Sequence, residues 1–99
     1  MLVENPTRIT EAKIKRMAKR AKGRITAIYL HWTAGRYGQV FDDYHLCIGK
    51  DGTVYVNCDD FCERKSHTWH RNTGTIGIAL CCGYDAECEL PAAICAKAA

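Results

Sequence analysis

Apolar positions along this chain follow first a helical rhythm and then a strand rhythm. Within residues 9–22, Ile14, Met17, Ala18 and Ala21 recur at the i, i+3, i+4, i+7 spacing that gathers side chains on one face of a helix. Thr10 offers a side-chain oxygen for an N-cap, Ile9 and Ile14 are placed to form a hydrophobic staple, and Gly23 is a suitable stop. From Ile25 the pattern changes. Residues 25–32 form an apolar, β-branched and aromatic run bounded by Gly23 and Gly35, which reads as a central strand. Residues 44–48 and 53–57 read as two further strands, joined by Gly49-Lys50-Asp51-Gly52, a hairpin signal because Asp-Gly readily takes positive φ. Residues 75–82 read as a fourth strand, buried on at least one face. Residues 35–43 are a polar loop and residues 58–72 a long polar connection. The tail from Leu90 can begin a helix with Pro91 in its first turn. The expected fold is α/β: a mixed central sheet of about four strands, an N-terminal helix, and an incomplete C-terminal helical layer. A sheet face left uncovered in this way predicts self-association.

Composition narrows the picture. Residues 1–99 suffice for one domain. Hydrophobic residues at 47% and charged residues at 25% fit a globular chain rather than a disordered one. The net charge is +3, and Lys13, Lys15, Arg16, Lys19, Arg20, Lys22 and Arg24 concentrate the basic excess in and just after the predicted helix. That cluster reads as a solvated helix face, with attraction to an anionic polymer as the alternative. The interleaved aromatics of single-strand nucleic-acid binders are lacking, so no nucleic-acid partner is expected. No run of eighteen apolar residues occurs, so no membrane span is expected. The first residues lack the basic-then-apolar order of a signal peptide, which predicts a chain that is cytoplasmic where it is made. There are 7 cysteines, an odd count. Without a secretion signal they argue against a complete disulfide framework, and Cys58-x-x-x-Cys62 and Cys81-Cys82 lack zinc-finger spacing. They read as small buried hydrophobes with free thiols.

The candidate chemistry lies where polar residues meet these strands. His31 ends the first apolar run, and His67, Trp69, His70 and Asn72 form a polar rim just before the last one. Polar groups on loops held by rigid strands are the usual construction of a metal or acid–base site. The plainer readings are a hydrogen-bonded strand-end histidine for His31, a half-buried strand aromatic for Tyr44, solvated loop positions for His67 and His70, and a packing role for Trp69. His45 alternates with Tyr44 and reads as structural. Cys81 and Cys82 read as core.

Three motifs stand in order: His31-Trp32-Thr33-Ala34-Gly35 at a strand end, then Tyr44-His45-Leu46 running into Asp51-Gly52-Thr53-Val54-Tyr55, then Ser66-His67 followed by Asn72 and Thr75-Ile76-Gly77-Ile78. From about Ile25 to Gly83 the chain resembles the zinc-dependent N-acetylmuramoyl-L-alanine amidases, the family of the phage lysozyme-type amidases and peptidoglycan recognition proteins. The resemblance implies a peptidoglycan hydrolase acting on the bacterial cell wall. It would cut the amide between N-acetylmuramic acid and the first L-alanine of the stem peptide, with Zn2+ as cofactor. It places His31 as the first zinc ligand and Tyr44 as the tyrosine that assists the zinc-bound water or the oxyanion. Trp32, Thr33, His67, Trp69 and Asn72 would border the substrate groove. Another branch of the family has a glutamate where this chain has Ala79, which sets the chain nearer the tyrosine-using branch. The family's second and third zinc ligands have no matching residues here. Cys81 with one of His45, His67 or His70 is the substitute set that zinc would accept beside His31. The alternative to hydrolysis is a catalytically inactive peptidoglycan-binding module or a remnant of the amidase.

Overall fold

The computed structural model of the chain describes residues 1–36, 39–66 and 73–82. Its elements are β1 (Leu2–Val3), β2 (Thr7–Arg8), α1 (Glu11–Ala21), β3 (Ala27–Trp32), β4 (Val40–Phe41), β5 (Leu46–Ile48), β6 (Val54–Val56) and β7 (Thr75–Leu80). β1 and β4 form an antiparallel pair, and the other five strands form a mixed sheet in the order β2-β6-β5-β7-β3. β7 runs parallel to both of its neighbours, β5 and β3. Among the described residues the fold is a small α/β arrangement with one short helix on a mixed sheet, as the hydrophobic pattern predicts.

The helix begins where its cap is. Thr10 is extended, and its Oγ1 accepts a hydrogen bond from the Lys13 N–H at 3.2 Å. Glu11 in the first turn and Lys19 and Arg20 in the last complement the helix dipole. Gly23 follows the C-cap with φ of 86°, a conformation an L side chain rarely adopts. Met17 and Ala21 are buried and Ile14 is half-buried, whereas Ala18 is exposed, so the contact stripe is narrower than the periodicity predicts. Met17 and Ala21 pack with Leu46, Ile48, Val54, Phe61, Ile76, Leu80 and Cys82 in one core. The other face of the sheet carries a smaller core of Val40, Cys47, Ala79 and Cys81.

The turn between β5 and β6 is the hairpin read from Asp51-Gly52. The Gly49 N–H donates to the Thr53 carbonyl at 2.8 Å, the Gly52 N–H donates to the Gly49 carbonyl at 2.9 Å, and Gly52 takes φ of 87°. Three short strands, β1, β2 and β4, escape the sequence pattern. β1 pairs with β4 inside the stretch read as a polar loop, and β2 adds to β6 at one end of the sheet.

The run at residues 25–32 is not central. Among the described strands β3 lies at the end of the sheet, and β7 lies inside it between β5 and β3. The burial explains the order. Every position of β7 is buried except half-buried Ile78, as a parallel strand covered on both faces requires. On β3 every second residue is exposed: Ile28, Leu30 and Trp32 at 64%, 58% and 60%. The helix expected from Leu90, and with it the C-terminal layer, falls outside the described residues. Among the described residues no helix is long and apolar enough to cross a membrane.

Candidate functional site

The register of four strands builds a row of side chains across the sheet. His31 on β3 is opposite Ala79 on β7, Ala79 is opposite Cys47 on β5, and Cys47 is opposite Tyr55 on β6. Residues paired in register share a face, and Cys47, Ala79 and Tyr55 belong to the core away from α1. His31 therefore stands on the face opposite the helix. The fully buried methyl of Ala79 separates it from Cys47.

Tyr44 comes to this row from the bend before β5. It packs on the Cys47–Ala79–Cys81 cluster, and its ring centroid lies 5.2 Å from that of His31 with the planes tilted by 44°. Asn57 holds the bend in place: its Nδ2 donates to the Phe41 carbonyl at 2.8 Å and to the Tyr44 carbonyl at 3.0 Å. The motifs do not single out Asn57. A polar residue just past the end of a short strand carries no signal of its own, and its role depends on a loop that closes back from elsewhere.

His45, the next residue, is fully buried and has a structural task. Its N–H donates to the Gly77 carbonyl at 2.9 Å, and the Gly77 N–H donates back to His45 Nδ1 at 3.0 Å. The imidazole thus takes the place of a main-chain carbonyl and extends the β5–β7 ladder by one rung. With Nδ1 accepting, the proton resides on Nε2, which donates to the Glu63 carbonyl. That bond ties the turn around residues 59–63 to the sheet, and the turn is itself capped by the Glu63 carboxylate accepting from the Asp59 and Asp60 N–H groups at 2.6 and 3.1 Å.

Burial sets the protonation of the pair. It pushes the His31 imidazole below the ordinary histidine value, which favours the neutral ring at pH 7. It pushes the Tyr44 phenol up, helped by the negative charges that Asp43 and the nearby thiols would carry, so the hydroxyl keeps its proton. Beneath them the Cys47 and Cys81 thiols share the small core; Cys47 donates to the Phe41 carbonyl at 3.5 Å and accepts a longer hydrogen bond from Asn57 at 3.8 Å. The interaction of the two thiols holds Cys47 below its ordinary value and, with burial, pushes the Cys81 thiol up. Cys58 is pushed up to about 12, chiefly by burial. Cys47, Cys58, Cys62, Cys81 and Cys82 are all free thiols.

The other residues singled out by the sequence do not all gather here. Trp32 alternates with His31 along β3, so its side chain stands on the α1 face and is exposed. Thr33 is half-buried and organises the turn after β3: its N–H donates to the Leu80 carbonyl at 3.0 Å and its Oγ1 accepts from the Gly35 N–H at 3.1 Å. Ala34 between them has φ of 58°, an uncommon conformation for a residue with a side chain. A Cβ on Gly35 would come within 3.0 Å of Gln39 Oε1 and of the Phe41 ring, so the turn is pressed against the neighbouring strand. His67, Trp69, His70 and Asn72 lie outside the described residues. Among the described residues no group of three or more His, Cys, Asp or Glu side chains could hold a metal ion. The combination of His31, His45 and Cys81 is therefore not assembled, and the described residues do not by themselves fit a zinc centre.

Comparison with family profiles, with characterised protein sequences and with solved structures finds no match to this chain.

Proposed function

We propose that this chain is a peptidoglycan amidase that hydrolyses the bond between the lactyl group of N-acetylmuramic acid and L-alanine, and that the His31–Tyr44 face receives that amide. The observation that supports this reading is a convergence. The resemblance gives separate roles to His31 and Tyr44, and the fold brings their rings to 5.2 Å. A neutral imidazole and a protonated phenol are the forms such a reaction uses at pH 7, the first as a lone-pair donor and the second as a hydrogen-bond donor to a developing oxyanion. Zinc, the cofactor this reading implies, polarises a carbonyl and acidifies its bound water when it is held by three protein ligands. The described residues offer it His31 and not a full set, so the part assigned to this face is to bind and orient the amide carbonyl.

That incomplete set favours a second reading, a module that binds peptidoglycan fragments without cutting them. One experiment separates the two. The purified chain is incubated with a muramoyl peptide in the presence of zinc, and mass spectrometry follows the release of peptide with a free L-alanine amino group. Release that disappears in His31→Ala supports the amidase. Binding that is indifferent to chelator, with no release, supports the binding module. Neither binding nor release contradicts both.

A further inference from the structure

Among the described residues the α1 face of the sheet is only partly covered. Ile76 and Leu80 of β7 belong to the core under Met17 and Ala21. Their register partners Ile28 and Trp32, and Leu30 between them, stand on the same face one strand further out. There they are exposed at 64%, 60% and 58%. Three large apolar side chains in a row, one of them tryptophan, form a continuous stripe along β3. The helix beside the stripe supplies a second, independent feature. Lys13, Lys15, Arg16, Lys19, Arg20 and Lys22 all point to solvent, and Arg24 follows them. Glu11 is the acid of this helix to which a salt bridge runs, from Lys15 at 3.7 Å, and Arg24 lies 3.9 Å from Asp60.

We propose that this face is a peripheral membrane-docking surface, with Ile28, Leu30 and Trp32 entering the headgroup–acyl boundary of an anionic bilayer and the α1 cations meeting its lipid headgroups. Each half of the surface matches one half of that partner. Apolar side chains with a tryptophan partition into the interface, and clustered lysines and arginines are attracted by the negative surface potential. The charge argues against a second copy of this chain and against a nucleic acid as the occupant. A second copy of this chain would bring one cationic helix towards another, and a nucleic acid or polyphosphate would use the cations while leaving the aliphatic side chains without a counterpart.

Flotation of the full chain with phospholipid vesicles tests the proposal. Mixed phosphatidylglycerol/phosphatidylcholine vesicles should carry the protein, and pure phosphatidylcholine vesicles should bind it at least about tenfold less. Added salt should weaken the binding. Two variants at exposed positions, checked for retained fold by circular dichroism, separate the two halves. Leu30→Gln should cost at least about fivefold through lost apolar insertion. Arg16→Glu with Lys19→Glu should cost at least about tenfold through lost attraction. Absence of vesicle binding, or equal binding to both compositions, overturns the proposal. It is also overturned by binding to the anionic vesicles that Leu30→Gln leaves unchanged, which would make the helix a general polyanion surface, or by a concentration-dependent dimer that Leu30→Gln abolishes, which would make a second copy the occupant.

Discussion

Replacing His45 by alanine should bring the protein to the edge of unfolding. The imidazole is fully enclosed and satisfies two backbone groups at once, the Gly77 N–H and the Glu63 carbonyl. Alanine leaves the buried Gly77 N–H short of a partner, at about 1–3 kcal/mol, releases the Glu63 carbonyl of the exposed turn, and adds a cavity. A loss of about 3–5 kcal/mol is expected, against about 5–15 kcal/mol for the whole of a domain this size. Urea denaturation followed by circular dichroism measures it, and a change below about 1 kcal/mol would contradict the ladder role. The same residue predicts the direction of the pH dependence. Burial holds the folded His45 below its ordinary value of 6.5, so the unfolded chain takes up the proton first as pH falls. His31 is shifted the same way. Stability contributed by these groups is therefore complete above pH 6.5 and is lost on acidification towards the folded-state values, at up to about 1.4 kcal/mol per pH unit for each. His45→Gln, whose amide can both accept and donate, should flatten that slope.

Met17→Ala should cost about 2–4 kcal/mol, the second large effect on the fold. A helix of 11 residues is too short to persist alone in water, so α1 depends on the face it buries. Met17 is the largest side chain on that face, 2% exposed and packed among Leu46, Val54, Phe61 and Leu80. Its truncation should lower the thermal midpoint by about 8–30 °C and weaken the hold of α1 on the sheet. Ala18→Ser is the control. Ala18 shares the apolar spacing in the sequence but is exposed, so this change should move stability by less than about 0.5 kcal/mol. An equal loss in both variants would mean that the helix buries a different face.

The contrast between Met17 and Ala18 shows how far the sequence could be read. Periodicity locates the helix, its Thr10 cap and its Gly23 stop, because these depend on neighbours in the chain. It cannot measure how wide a stripe the sheet will cover. Strand existence was legible for the same reason, but strand order was not. Residues 25–32 and 75–82 are both apolar runs, and only tertiary pairing decides that β7 is enclosed while β3 leaves Ile28, Leu30 and Trp32 bare. β1 and β2, at two residues each, are too short to carry a pattern at all.

The candidate site divides in the same way. The structural reading of His45 followed from its place beside Tyr44, but the use of its ring as a rung of the ladder follows from the bend that precedes β5. His31 was marked by its position at a strand end. Its contact with Tyr44 comes from a loop closure that Asn57 secures, and no local spacing encodes it. Trp32 was grouped with His31 by adjacency, yet adjacent residues on a strand face opposite ways, and the fold sends the two to opposite faces.

The central claim is that the His31–Tyr44 face, and not the opposite one, meets the muramoyl–alanine amide. The most direct test is a titration of isotopically labelled protein with N-acetylmuramoyl-L-alanyl-D-isoglutamine, followed by NMR at the side chains of both faces. Saturable shifts centred on the rings of His31 and Tyr44 are expected, with Ile28 and Leu30 unmoved. Shifts centred on Ile28 and Leu30, or none at saturating ligand, would contradict it.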